Sequence, residues 1–334
     1  MFSAGGAAIT RTVFYARKGQ NVEVPSEWFN SGTNALGLSR AEMDHKLLER
    51  ARTAGVTVLE ETHATGLIHE RGQVRGVKAR NGQRVYDFEA PISIDATGRT
   101  RSLGRYLDQT LLQQTTKTKR SLVGFKVHLE NAQVAGGACE IYSYPRGYGG
   151  LSSVENGRSN LCFIVSAGDV RSNGSDPERV MREVVMKNSR AAVTLSEARS
   201  CTPWLSVSLE GFGRRTPAPA PGLLTIGDAA SFIDPFTGSG MLMALESGEV
   251  VAEIINRHLS SLRKTEATSS ISREYEAEYS KRFHSRLRVA GLLRRAAFVP
   301  GLPEVAIFLC GASTHFRRKV ARATRQSSSQ YHLR

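Results

Sequence analysis

Cysteine is scarce and scattered. The four residues Cys139, Cys162, Cys201 and Cys310 form no C-x-x-C pair and no metal-ligand spacing. That pattern excludes a disulfide framework and a zinc site, and it fits a reducing compartment. Long apolar runs are missing too. No stretch of about 20 apolar residues occurs, so no simple transmembrane helix is predicted. The first residues lack a charged region followed by an apolar one, so no signal peptide is expected. These absences together read as a cytoplasmic chain. A G-x-G-x-x-G or G-x-G-x-x-A turn occurs nowhere, and Gly5-Gly6 has neither a strand before it nor a third glycine in place. No Ser/His/Asp arrangement or catalytic carboxylate pair stands out.

Length and charge set the next bounds. The 334 residues suffice for about two domains with proper cores. The net charge of +14 is concentrated at one end: from Arg257 onward sixteen Lys/Arg face five Asp/Glu, a net +11. A basic tail can touch anionic lipid, nucleic acid or an acidic partner, and most commonly is a solvated helix face. No nucleic-acid-binding module is recognisable, so nucleic acid is not expected as a partner.

The most informative stretch runs from Gly222 to Gly248. Leu223 to Ile226 is a short apolar run ended by Gly227-Asp228, which predicts a buried strand stopping at a carboxylate. Pro235 and Gly238 mark a loop. From Ser239 the period becomes helical, with Met241, Leu245, Gly248, Ala252 and Ile255 predicted as the packed face. An Asp at a strand end can accept hydrogen bonds from sugar-like hydroxyls. Gly238 and Gly240 permit close backbone approach, and the helix start favours negative charge. The plain alternative is an ordinary strand–loop–helix unit in which Asp and Gly only cap and turn.

The residues themselves carry more than the spacing. Gly227-Asp228-Ala-Ala followed by Pro235-x-x-Gly238-Ser239-Gly240 resembles the "GD" motif of FAD-dependent oxidoreductases. The likeness is greatest to the geranylgeranyl-reductase-like branch and its relatives among flavin monooxygenases and halogenases. The resemblance implies that Asp228 binds the ribityl chain of FAD, and that Pro235, Gly238 and Gly240 sit against the pyrimidine edge of the isoalloxazine ring. It implies FAD as cofactor, NAD(P)H as a candidate electron donor, and an apolar small molecule as substrate. The implied fold class is α/β with α+β mixture. A Rossmann-like FAD/NAD(P)-binding domain, incomplete at its N-terminal side, would hold an inserted antiparallel-sheet substrate domain and end in a helical region.

Earlier segments supply companions. Ser39 to Gly55 is predicted as a helix with an S-x-x-E capping box (Ser39, Glu42) and an apolar face of Met43, Leu47, Leu48, Ala51 and Ala54. Arg40 in its first turn opposes the helix dipole unless an anion offsets it. Arg40, Asp44, Leu47 and Ala51 match the family's R-x-x-x-D-x-x-L-x-x-x-A frame, whose Arg lies beside FAD. Strands are predicted at 56–60, 64–69, 74–80, 83–88 and 91–94, with turns at Arg71-Gly72 and Asn81-Gly82. They lead into Asp95-Ala-Thr-Gly98, which resembles the family's motif near the pyrophosphate, so Asp95 and Gly98 join Gly227 as expected cofactor-binding residues.

Longer strands follow at 121–130, 138–144, 149–154 and 160–166, with a helix from 176 to 187. Tyr142, Tyr144, Tyr148 and Phe163 are candidates for lining a substrate pocket, although strand aromatics are usually core. Two basic helices are predicted at 271–298 and 304–325. The first mixes Arg286, Arg288, Arg294 and Arg295 with Leu287, Leu292 and Leu293. It is either a helical cap packed on the flavin domain or an amphipathic contact with a membrane surface, making the protein peripherally membrane-associated. The predicted divisions are 1–118 and 204–260 for flavin binding, 119–203 for substrate, 261–326 helical and 327–334 a disordered tail. Ser231 stands where hydroxylases carry His, Ser239 replaces a common Glu, and the W-x-W-x-I-P signature of halogenases is absent. Reduction of an unsaturated apolar substrate is therefore the first expectation and hydroxylation the second. The alternative is a flavoprotein remnant, or binding module, that does not hold FAD by itself.

Overall fold

A computed structural model describes residues 5–29, 34–107, 122–209, 212–262, 265–299 and 301–323. The predicted disordered tail lies outside them. In chain order the first strands are β1 (Ala7–Ile9), β2 (Arg11–Tyr15), β3 (Asn21–Pro25) and β4 (Ala35–Gly37), followed by helix α1 (Arg40–Thr53). Next come β5 (His63–Glu70), β6 (Gln73–Asn81), β7 (Arg84–Glu89), β8 (Ser93–Asp95), β9 (Leu122–Glu130), β10 (Ala138–Tyr144), β11 (Gly147–Ser153) and β12 (Ser159–Ser166). Helices α2 (Ala167–Ser172), α3 (Pro177–Glu183) and α4 (Ser189–Thr194) precede β13 (Arg199–Ser200), β14 (Leu205–Leu209), β15 (Gly213–Arg214), β16 (Leu223–Thr225) and β17 (Ser231–Phe232). The chain ends in α5 (Gly240–Arg257), α6 (Thr265–Ala297), α7 (Leu302–Ala312) and α8 (Thr314–Ala323). They fall into two compact units. The first gathers the described residues of Met1–Thr57, Thr118–Glu210 and Leu292–Arg325; the second those of Val58–Lys117 and Gly211–Gly291.

The first unit is built on an eight-stranded sheet in the order β13-β9-β12-β11-β10-β2-β3, with β14 also pairing β9. Only the β10–β2 contact is parallel. Alternation decides which face packs. Phe125, Val127 and Leu129 of β9 and Tyr142 and Tyr144 of β10 point to one side, where they join Val180, Met181 and Val185 in a single core. Ser39 caps α1 as predicted, its Oγ accepting from Glu42 N at 3.2 Å. The reciprocal half of the capping box is supplied from elsewhere: Ser39 N donates to Glu155 Oε2 at 2.8 Å. The predicted apolar face of α1 is not core, since no residue of this helix is buried. No strand forms at 56–60, which is turn and coil.

The second unit contains the meander β5-β6-β7 and the short parallel pair β8–β16. Arg71 and Gly72 both take positive φ (48° and 78°), the left-handed pair that a two-residue hairpin loop requires. The core lies between α5 and α6, where Met243, Val250, Val251 and Ile254 meet Ile271, Tyr275, Tyr279 and Phe283. Here one sequence expectation is corrected. The covered face of α5 is Met243, Ser247, Val250, Val251 and Ile254, whereas Met241 and Leu245 are exposed at 49% and 54%. The helix carries apolar residues on both sides, and α6 chooses between them. The stretch of α6 from 271 to 290 packs on α5 along one side, the helical-cap alternative, and leaves Arg273, Lys281 and Arg288 exposed on the other. Arg286 is 1% exposed and donates from Nη1 to Glu246 Oε2 at 2.7 Å, and Arg282 reaches Glu249 at 3.7 Å. The predicted final helix is two helices, α7 and α8, broken at Ser313.

Candidate functional site

The parallel register of β8 and β16 brings the key loops together. Leu223, Leu224 and Thr225 pair with Ser93, Ile94 and Asp95, and Ile226 N extends the ladder to Asp95 O at 3.1 Å. Both strands therefore end at the same edge, where ligands bind in open α/β sheets. Leu223–Thr225 is fully buried, as its apolar run predicts. The loop after β8 and the turn Gly227–Ala229 after β16 pack on one another.

Each loop is held by its own chemistry. Asp95 is fully buried, and its Oδ1 accepts from Thr97 N (2.9 Å) and Thr97 Oγ1 (2.6 Å). Its Oδ2 accepts from Gly104 N at 3.3 Å, so this carboxylate shapes the loop from inside. Gly98 has φ 71°. In the second turn Gly227 has φ 58°, and a Cβ there would meet Ala244 Cβ at 3.2 Å. Glycine thus serves two needs at 227, a left-handed backbone and close contact with α5. Ser247 Oγ accepts from Gly227 N at 2.9 Å, fixing the turn on that helix. Asp228 follows, half-buried.

The start of α5 completes the arrangement. Asp234 Oδ1 accepts from Phe236 N at 2.9 Å, capping the turn Pro235–Thr237. Gly238 ends that turn in the left-handed region, φ 61°. Ser239 is buried and takes the N-cap position, yet its side chain accepts none of the first-turn N–H groups. The 18-residue helix also begins without an acidic residue in its own first turn.

Two arginines missed in the sequence tie the loops. Arg215 donates to Arg99 O at 3.1 Å, and Arg101 donates to Thr216 O at 3.3 Å. Burial pushes both guanidinium pKa values below their usual range. Mutual repulsion adds to the fall at Arg101; Asp95 opposes it there, and Asp228 opposes it at Arg215. Lone arginines flanking a motif carry no periodic signal, and only the β8–β16 pairing reveals them.

The remaining expected residues lie in the first unit. Arg40 is exposed on α1 and makes a bidentate pair with Asp44, Nε–Oδ1 3.0 Å and Nη2–Oδ2 2.9 Å. The cation in the first turn is thus offset by a carboxylate one turn on. Tyr142, Tyr148 and Phe163 are buried. Phe163 packs on Phe125 and Trp204, with ring centroids 5.1 and 5.8 Å away. Tyr144 is buried, donates to Ile164 O at 3.0 Å, and lines one side of a groove of about 140 Å³ with Arg17, Arg146 and Phe298.

Tyr142 serves a network the sequence reading overlooked. Its hydroxyl donates to Glu140 Oε2 at 2.8 Å, and Arg190 donates to the same carboxylate at 2.7 and 3.1 Å. Burial raises the Glu140 pKa; the bonds from Arg190 and Tyr142 outweigh it and hold the carboxyl below its usual range. The signal was available, because Glu140 occupies an inward position of the alternating run Ala138-x-Glu140-x-Tyr142-x-Tyr144.

The parallel-strand loops, the turn carboxylate and the helix start fit an α/β protein that holds a nucleotide cofactor. Its family is plain: the FAD binding domain model matches residues 7–287, and the chain belongs to that family. A curated relative, the digeranylgeranylglycerophospholipid reductase of Methanosarcina acetivorans, is 28% identical over 253 residues, 74% of this chain and 59% of the relative. The chain thus spans about three fifths of the length of such relatives. Among solved structures, a geranylgeranyl bacteriochlorophyll reductase-like protein from Thermoplasma acidophilum superposes with TM-score 0.73 at 19% identity, covering 96% of this chain and 76% of that one. The flavin-dependent brominase Bmp2 gives TM-score 0.74 at 16% identity, with 97% and 78% covered. At such identities the likeness establishes the fold, which is the mixed α/β flavoprotein fold expected from the sequence.

Proposed function

We propose that this chain forms the flavin-ring end of an FAD site in an oxidoreductase that reduces an unsaturated, apolar small molecule. The observation that carries the reading is the juxtaposition of Asp228 with the α5 start on one packed turn, Gly227 lying against Ala244. The donor set suits that end of the cofactor. Asp228 would accept hydrogen bonds from ribityl hydroxyls, and the first-turn N–H groups after Ser239 would face the electron-rich ring edge. When bound, FAD supplies the hydride chemistry, while the protein supplies position and electrostatics. Residues for the pyrophosphate are not assigned, because no G-x-G-x-x-G turn occurs in the sequence. The names of the relatives support reduction over hydroxylation. A chain that does not retain FAD by itself is the second reading, favoured by the same missing turn.

Purified protein separates the two. Flavin absorbance co-eluting with the protein on gel filtration after incubation with FAD supports the site. Asp228→Ala is then expected to lower the retained flavin several-fold, and unchanged retention would remove Asp228 from the role. For the reaction, NAD(P)H-dependent bleaching of the bound flavin followed by saturation of a prenyl double bond is expected. An oxygenated product would establish hydroxylation in its place.

A further inference from the structure

The C-terminal helices of the first unit leave apolar and basic side chains exposed side by side. Helix α7 is apolar nearly all round, and it leaves Leu302 at 39% exposure, Val305 at 51%, Phe308 at 73% and Leu309 at 48%. The helix packs on β3, and Ile307 and Cys310 are among its less exposed residues. The adjoining α8 turns Phe316, Lys319 and Arg322 outward, while Arg317 and Arg318 lie over the Trp28 ring at 5.5 and 5.8 Å. Between Gly301 and Ala323 the chain holds four basic residues and one acid, Glu304.

From this we infer that α7 and α8 dock the protein on an anionic lipid bilayer, α7 lying in the interface with its exposed apolar residues in the acyl boundary and α8 on the headgroups. The helix is about 16 Å long, too short to cross a hydrocarbon core of roughly 30 Å. Among the described residues no single helix is long and apolar enough to cross a membrane. An apolar wedge beside a basic helix is the composition of an interfacial anchor. The basic side chains have long stems that reach headgroup phosphates while their carbons stay near the apolar boundary. A second copy fits less well, because pairing α7 with α7 brings the Lys319 and Arg322 charges of two chains together. This surface lies wholly within the first unit, and its docking does not depend on flavin retention.

The test is flotation of the purified full chain with vesicles of phosphatidylcholine alone or of equal parts phosphatidylcholine and phosphatidylglycerol. Binding is expected with the anionic vesicles, weak with the neutral ones, and reduced by raised salt. Phe308→Ser with Leu309→Ser should lower the bound fraction about tenfold, and Lys319→Glu with Arg322→Glu by a similar factor. These residues are exposed, so circular-dichroism melting should match wild type and show that folding is intact. Wild-type protein that stays in the dense fraction overturns the inference, as does binding unchanged in both variants. A dimer in gel filtration that Phe308→Ser converts to monomer would assign the face to a second copy and overturn it equally.

Discussion

Helix α6 and the pair α7–α8 share a mixture of arginine and leucine, and the protein uses it in opposite ways. In α6 two of the cations, Arg282 and Arg286, go inward, while Arg273, Lys281, Arg288 and Arg295 stay exposed. Arg286, almost wholly buried, is paired with Glu246 and lies 5.9 Å from the Phe283 ring. On α8 Lys319 and Arg322 go outward, beside an α7 that leaves apolar residues exposed as well. The difference lies in what each helix packs against. Helix α5 offers α6 carboxylates at Glu246 and Glu249, so buried guanidinium groups find partners there. What α7 and α8 pack against is β3 and the turn Ser26–Trp28, where aromatic contact replaces ion pairing. Composition alone therefore says little about whether a basic helix is core or surface.

The contrast can be broken at its strongest point. Arg286→Ala leaves Glu246 without its buried partner and should cost roughly 3–5 kcal/mol, read from urea unfolding. Arg286→Met with Glu246→Leu should recover most of that loss, since a packed apolar pair of similar volume is often neutral. A single Arg286→Ala change that left the unfolding midpoint unmoved would show that the pair contributes nothing.

The Glu140–Arg190 pair tests the same rule in the first unit. Glu140→Ala should destabilise by about 3 kcal/mol. Its pH behaviour has a definite sign. The folded carboxyl sits below its ordinary range, so as pH falls the unfolded chain takes up the proton first. The contribution is whole above the ordinary glutamate value of about 4.3 and is lost as pH drops through the lowered folded value. Stability measured below that point should thus fall more steeply in wild type than in Glu140→Gln. Parallel acid profiles would remove the argument.

Exposed charges should matter far less. Lys319→Glu with Arg322→Glu should change unfolding stability by no more than about 0.5 kcal/mol, even while it lowers vesicle binding. Arg40→Ala gives the smallest effect, about 0.5 kcal/mol or less, because its pair with Asp44 is solvated. If Arg40→Ala also lowers retained flavin, though less than Asp228→Ala does, Arg40 acts on the ligand as well as on Asp44.

Legibility in the sequence followed distance along the chain. The strand at Ala138–Tyr144 matches its predicted bounds, because alternation and turn residues act within a few positions. The Gly227–Gly240 turn was legible for the same reason, with left-handed glycines and a proline written into consecutive residues. Arg215 and Arg101 were not, since their partners are brought together only by strand pairing and packing, and at Glu140 the alternation marks an inward carboxylate without naming Arg190 as its partner. The apolar face of α5 was misassigned because both faces are apolar, and the choice belongs to α6.

By itself, then, the amino-acid sequence determined local geometry and family. It specified a strand running into Gly227-Asp228 and a helix begun at Gly240. Tertiary structure decided which side of each helix meets a partner, turning Arg286 inward and Phe308 outward. The reason is physical. Backbone conformation is set by steric rules among neighbouring residues, whereas burial is set by surfaces that meet only after the chain has folded.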